Sequence, residues 1–137
     1  MATYNKFQQF VEDKNKGVHN MATNQLVVAL TNTLPTAGLA TLSEIAQIDY
    51  ANLDTRNITT TSAVQTGGVF KLIVEDLVLT AAGVVPEFQY VVIYNDTPTS
   101  PADPLIAWYA YPSKVNMQLG EKFTVNFDQL NGLYTDE

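Results

Sequence analysis

The chain has 137 residues, 46% of them hydrophobic, and its 14 acidic against 7 basic side chains leave a net charge of −7. That is the length of one domain with enough apolar content for a packed core, and it argues against disorder. With no cysteine and a single histidine, His19, the chain excludes disulfides, thiolate metal sites, a thiol nucleophile and multi-histidine metal centres.

The N-terminus opens on polar residues with no apolar stretch behind it, so neither a signal peptide nor a membrane span is expected. The chain is expected to be made and kept, or assembled, in the cytoplasm. Tyr4, Phe7, Val11 and Val18 fall near a 3.6-residue period, with Phe10 beside Val11. This predicts one amphipathic helix over about residues 4–16, with Thr3 as N-cap and Gly17 as its C-terminal stop. The helix is expected to pack on its own domain rather than reach a neighbour.

From Gln25 the period changes. Residues 25–31 are β-rich and end at the breaker Asn32-Thr33-Leu34-Pro35. Residues 36–54 fit either a short helix or a strand. The threonine-rich stretch 57–64 alternates as a half-exposed strand does, and Gln65-Thr66-Gly67-Gly68 is a turn leading to the strand Phe70–Val74. Glu75-Asp76 interrupts before Leu77–Thr80. Phe88–Tyr94 is apolar on both faces, which predicts a central strand. The segment Asn95–Pro104 holds three prolines in ten residues and reads as a rigid loop. Leu105–Tyr111 is an aromatic strand, residues 123–127 alternate again, and Asn131-Gly132 marks a tight turn. Together these predict a single domain over 1–137. Its fold class is mainly β, an antiparallel β-sandwich or jelly-roll-like body over about residues 25–130 with one N-terminal helix.

Motifs for chemistry are sparse. No Gly-rich phosphate loop, Walker motif or nucleophile elbow occurs, so no cofactor is expected. The scattered Lys and Arg give no basic footprint, so nucleic acid and anionic membranes are not expected as partners. His19, next to the helix end, reads as a C-terminal cation or surface residue. Asp96 and Asp103 bracket the proline loop, but the spaced acids of a calcium loop are missing. A two-carboxylate hydrolase would need two of Glu44, Asp49, Glu75, Asp76, Glu87 and Asp128 to converge, and no spacing brings a pair together. The strongest feature is the aromatic set Tyr90, Tyr94, Trp108, Tyr109 and Tyr111. It fits core and cross-strand packing, a protein interface or a sugar site. Trp108 and Tyr109 are adjacent in a strand, so they face opposite sides, with at most one of them toward the core.

Several stretches resemble a family of small structural proteins of tailed bacteriophages. They are residues 65–72 (Gln-Thr-Gly-Gly-Val-Phe-Lys-Leu), residues 88–97 (Phe-Gln-Tyr-Val-Val-Ile-Tyr-Asn-Asp-Thr), residues 103–109 and residues 120–128. The opening Tyr4–Phe7 and the strand Val28–Thr33 are similar too, so the resemblance covers most of the chain. Where relatives continue the aromatic strand with Asp-Tyr-Gly, this chain has Ala110-Tyr111-Pro112, and a different turn is expected there.

The resemblance implies a non-enzymatic virion component, a capsid decoration (cement) protein on the outside of the head shell. Its implied partners are the major capsid protein, at subunit junctions, and itself as a trimer or dimer. The candidate interface is the proline loop with its flanking aromatics: Tyr94, Asp96, Pro98, Pro101, Asp103, Pro104, Trp108, Tyr109 and Tyr111. The alternative reading of that loop is a plain connector. The alternative function is a tail- or fibre-associated module recognising a host sugar.

Overall fold

A computed structural model describes residues 3–136. Among the described residues, nine strands form three antiparallel sheets. The first is four-stranded, in the order β1 (Thr3–Lys6), β7 (Leu105–Met117), β6 (Val85–Asn95), β2 (Leu26–Thr31). The second runs β3 (Thr60–Thr66), β4 (Val69–Val74), β9 (Tyr134–Asp136), and the third pairs β5 (Leu77–Thr80) with β8 (Lys122–Val125). One helix, α1 (Gln8–Asn15), and a short 3-10 turn at Leu42–Glu44 complete it. The fold is mainly β and β-sandwich-like, as the alternation predicts. No helix among the described residues is long and apolar enough to cross a membrane.

Side-chain alternation explains the layers. In β2, Leu26, Val28 and Leu30 face the larger apolar cluster, where they meet Val91 and Ile93 of β6, Leu72 and Val74 of β4, Leu79 of β5 and Val125 of β8. Val27 and Ala29 face the other way, into a second cluster with Phe7, Val92, Tyr94, Leu105 and Trp108. Both faces of β2 and of the adjoining stretches Val91–Asn95 of β6 and Leu105–Trp108 of β7 are therefore buried, which accounts for the two-sided apolar run of β6. The second face is covered by the stretch that resists assignment from sequence: Ala37, Leu39, Leu42 and Ile45 pack onto it. That stretch is held by scattered bonds rather than a ladder, among them Leu105 N–H to the Ala40 carbonyl at 3.0 Å and Ile48 N–H to the Leu30 carbonyl at 3.0 Å.

The N-terminus departs from expectation. The helix is shorter than expected, starting at Gln8 rather than near residue 4, and residues 3–6 form a strand paired with Ala107–Ala110 on the outer edge of β7. Thr3 is not its cap; Phe7 holds the N-cap position without a side-chain bond. The physical reason is that four residues of helical periodicity carry little free energy, whereas β7 offers a row of unpaired backbone groups. The predicted stop is correct: Val18 N–H reaches the Asp13 carbonyl and Gly17 N–H that of Lys14, a Schellman closure.

β7 also runs on where a turn is expected after Tyr109. Opposite it, Tyr90 pairs with Ala110 but Phe88 pairs with Val115, so β7 bulges around Pro112. Proline cannot donate to the ladder and is tolerated in strands at such bulges. Gln89 bridges the gap, its Nε2 donating to the Tyr111 carbonyl at 2.8 Å.

The C-terminal strand is seated by Gly132, whose φ is +84°. A Cβ there would run into the backbone carbonyl oxygen of Leu72, which accepts from Leu133 N–H at 2.6 Å. Gly132→Ala is therefore expected to cost about 1–3 kcal/mol, from backbone strain and the displaced strand. Urea unfolding would register this as a lower midpoint, and amide exchange as lost protection in β9.

Candidate functional site: a tyrosine-lined cleft

The bulge of β7 opens a cleft of about 770 Å³. β1 supplies Tyr4 to its wall, and β7 supplies Tyr109, Tyr111, Pro112 and Ser113; Asn126, Phe127 and Asp128 come from the segment after β8. Tyr4 and Tyr109 are register partners, and their rings meet edge to face at 5.5 Å. Tyr109 rests on Phe127 at 5.9 Å, and Tyr111 on Phe123 at 5.2 Å. Each ring is thus fixed by a neighbour, and rigid aromatic surface binds with little loss of rotamer freedom.

The cleft sets neutral tyrosine hydroxyls beside one carboxylate, Asp128. Burial pushes the Tyr4 and Tyr111 hydroxyls up to about 12. Tyr109 is raised further, by burial first and then by the nearby Tyr4, Tyr111 and Asp128. All three stay protonated at neutral pH, as hydrogen-bonding groups rather than bases. Asp128 is fully engaged: it accepts from Leu130 N–H and Asn131 N–H, both at 2.8 Å, and from Asn131 Nδ2 at 3.0 Å. Those bonds hold its carboxyl below the usual range. The arrangement suits stacking and hydrogen bonds to the tyrosine hydroxyls.

The nine candidate interface residues separate into three sets. Tyr94, Pro104 and Trp108 are buried. Tyr94 and Trp108 belong to the second cluster, where Trp108 stacks on Phe7 at 4.6 Å. Trp108 and Tyr109 do face opposite sides, but each meets an apolar cluster: Trp108 is buried in the second, and the half-buried Tyr109 packs against the larger one. Asp96 and Pro101 are exposed and Pro98 and Asp103 half-buried, on the loop ahead of β7. Partial burial raises the Asp103 carboxyl, and the neighbouring Asp96 adds to this. Tyr109 and Tyr111 alone line the cleft. Sequence reasoning missed Tyr4, assigned to the helix, and Asn126; the signal available was a proline inside an aromatic strand.

Among the six carboxylates of the hydrolase reading, five have local structural partners. Glu44 accepts from the N–H groups of Ala40 and Thr41, and Asp49 from that of Ala51. Asp76 accepts from Phe127 N–H at 2.7 Å, Glu87 pairs with Lys114 at 3.3 Å, and Asp128 closes its turn.

His19 is not the exposed cation expected of it. Its ring packs on Phe10 at 5.2 Å, and Asn95 Nδ2 lies 3.0 Å from Nδ1. An amide nitrogen only donates, so Nδ1 accepts and the neutral ring carries its proton on Nε2. Burial holds the His19 pKa below 6.5, against a smaller opposing pull from Asp13. The unfolded chain binds the proton more readily, so stability is full above about pH 6.5 and declines as pH falls below it. Urea midpoints at pH 7.5 and 5 would show this decline, and His19→Asn is expected to remove that part of it.

No family model matches the chain, and no curated protein and no solved structure is found similar to it.

Proposed function

We propose that the chain is a non-enzymatic component of a tailed-phage particle, a decoration protein that self-associates and binds the major capsid protein on the outside of the head shell. The observation that carries this reading is the tyrosine cleft. It is concave, its rings are held by neighbours, and its hydroxyls are neutral, which is the chemistry of a protein-docking pocket. At about 770 Å³ it holds a few side chains of an inserted segment. The likeness of residues 65–72, 88–97 and 120–128 to small virion proteins supports the same reading, and a net charge of −7 keeps many copies soluble before docking. On this reading the chain is assembled in the host cytoplasm and resides on the capsid surface.

The test is co-sedimentation with assembled empty shells and, separately, with purified tails. Binding to shells alone is expected. Ser113→Trp, an exposed residue of the bulge, plugs the cleft without touching the core; it is expected to abolish co-sedimentation with the melting temperature unchanged. Binding to tails alone, or undiminished binding of the plugged variant, refutes the proposal. One observation favours a second reading. The cleft sets ring faces beside the Asn126 amide and the Asp128 carboxylate, a combination that also suits a sugar on a tail or fibre module. Selective retention on a glycan array decides for that reading.

A further inference from the structure

Most sheet edges of this chain are short or covered. β2 is capped by the segment beyond it: Val28 N–H donates to the Arg56 carbonyl, and Ile58 N–H to that of Leu26. β1, β5 and β8 have four residues each and β9 has three. β3 is different. It has seven residues, Thr-Thr-Ser-Ala-Val-Gln-Thr, with no charge and no proline, and it lies at the end of its sheet. It is the only uncovered edge strand longer than four residues among the described residues. Natural edges are usually guarded by a charge, a proline or a bulge. Here the one irregularity lies at the start, between Thr60 and Ser62, and residues 62–66 are regular.

The hairpin fixes which backbone groups point outward. Gly67 and Gly68 form its two-residue loop, with φ of +62° and +86°. The flanking pair Thr66–Val69 is therefore a hydrogen-bonded pair, and Val64–Lys71 and Ser62–Ile73 follow in alternation. That leaves the N–H and C=O of Ala63 and Gln65 directed away from β4. These groups are placed symmetrically about Val64, whose side chain is 58% exposed.

We infer that this edge is a self-pairing surface: two copies of the chain join β3 to β3 antiparallel, with Val64 on the two-fold axis. In this register Ala63 pairs with Gln65 of the partner subunit and Gln65 with Ala63 of the partner subunit, which makes four hydrogen bonds. Val64 meets the partner's Val64 at the close, non-hydrogen-bonded position. Registers centred on Ala63 or Gln65 keep fewer bonds, because they run one end into the bulge or the glycine loop. The symmetric placement of the Ala63 and Gln65 backbone groups about Val64 argues for a second copy as the occupant, because an identical strand presents the matching pattern across a two-fold axis. Two molecules of net charge −7 repel over most of their surfaces, and this strand is an edge where identical chains meet without opposing like charges. The apolar outer groove of about 390 Å³, lined by Val64, Val69 and Ile73 with Lys71 between, then continues across the axis. The pairing selects a dimer from the dimer-or-trimer alternatives. It rests only on the self-association within the proposed function and not on the shell.

Light scattering and amide exchange on the purified full chain test it without shells. The expected mass at high protein concentration is twice 15.1 kDa, with the amides of Ala63 and Gln65 protected. Val64→Lys sets two ammonium groups against each other on the axis and returns the chain to monomer mass at low salt. Val64→Glu does the same, and an equimolar mixture of the two variants recovers the doubled mass, which a misfolded variant could not do. A monomer at all concentrations overturns the inference. So does a dimer that persists in both variants or leaves the 63 and 65 amides unprotected. Shell co-sedimentation is read separately, so loss of pairing and loss of shell binding are distinguishable.

Discussion

Truncating Phe88 to alanine is expected to remove about 3–5 kcal/mol of stability, the cost of deleting a buried aromatic ring and leaving its cavity. Phe88 is fully buried in β6, in the larger cluster, and meets Phe123 of β8 edge to face at 5.4 Å. It ties the four-stranded sheet to the β5–β8 pair at the point where the β7 bulge interrupts the ladder. The surroundings are strands from different sheets, so they cannot close the void without breaking register. Domains of this size hold roughly 5–15 kcal/mol in total, so the variant is expected to keep little reserve at 37 °C. Trp108→Ala removes a comparable volume from the other face. The two residues belong to clusters with no common member, so their costs are expected to add to within about 0.5 kcal/mol. Urea midpoints of the single and double variants measure this. A strongly non-additive pair would mean that the clusters behave as one core.

How far the fold can be read from the sequence follows from where the backbone bonds go. Phe88–Tyr94 is apolar at every position but Gln89, and a strand buried on both faces needs such a run; β6 is such a strand, between β7 and β2. Thr66-Gly67-Gly68-Val69 is legible because both glycines adopt the positive φ that a two-residue hairpin loop demands. Residues 36–54 are not legible. They contribute side chains such as Leu42 and Ile45 to the second cluster, but their backbone bonds reach distant partners through single bridges, Gln47 to Thr31, Thr41 to Pro104 and Leu53 to Ala81. No local period encodes such a cover. Tyr4 to Lys6 fits either period over so short a stretch, and the open edge of β7 decides. The cleft is half legible: Tyr109 and Tyr111 share a face by alternation, whereas Tyr4, Asn126 and Phe127 join them only through pairing across the chain.

Asn95 is the clearest residue whose role no pattern announces, and its replacement by alanine is expected to cost about 2–3 kcal/mol. At 0% exposure its side chain makes three hydrogen bonds. Nδ2 donates to Asn24 Oδ1 at 2.8 Å and to His19 Nδ1 at 3.0 Å, and Oδ1 accepts from Thr97 N–H at 3.1 Å. It thus joins the loop after α1 to the start of the proline loop. Alanine leaves His19 Nδ1 and Thr97 N–H without this partner, while Asn24 Oδ1 keeps only the Asn20 N–H, at 2.9 Å. Asn95→Asp is the sharper test, because it keeps the shape and changes only one atom's role. The carboxylate still accepts from Thr97 N–H, but its other oxygen now faces two acceptors, Asn24 Oδ1 and His19 Nδ1. The added negative charge favours the imidazolium, whose Nδ1–H donates to the carboxylate, so the His19 pKa is expected to rise above 6.5 instead of lying below it. The sign of the pH dependence then reverses. In the wild type this contribution declines as pH falls below about 6.5; in Asn95→Asp it is present at low pH and is lost as pH rises through the raised His19 pKa. An NMR titration of the His19 Cε1 proton, with urea midpoints at pH 5 and 7.5, follows both changes. A wild-type His19 that titrates above 6.5, or a slope unchanged by the aspartate, would show that Asn95 does not set the protonation state of the ring.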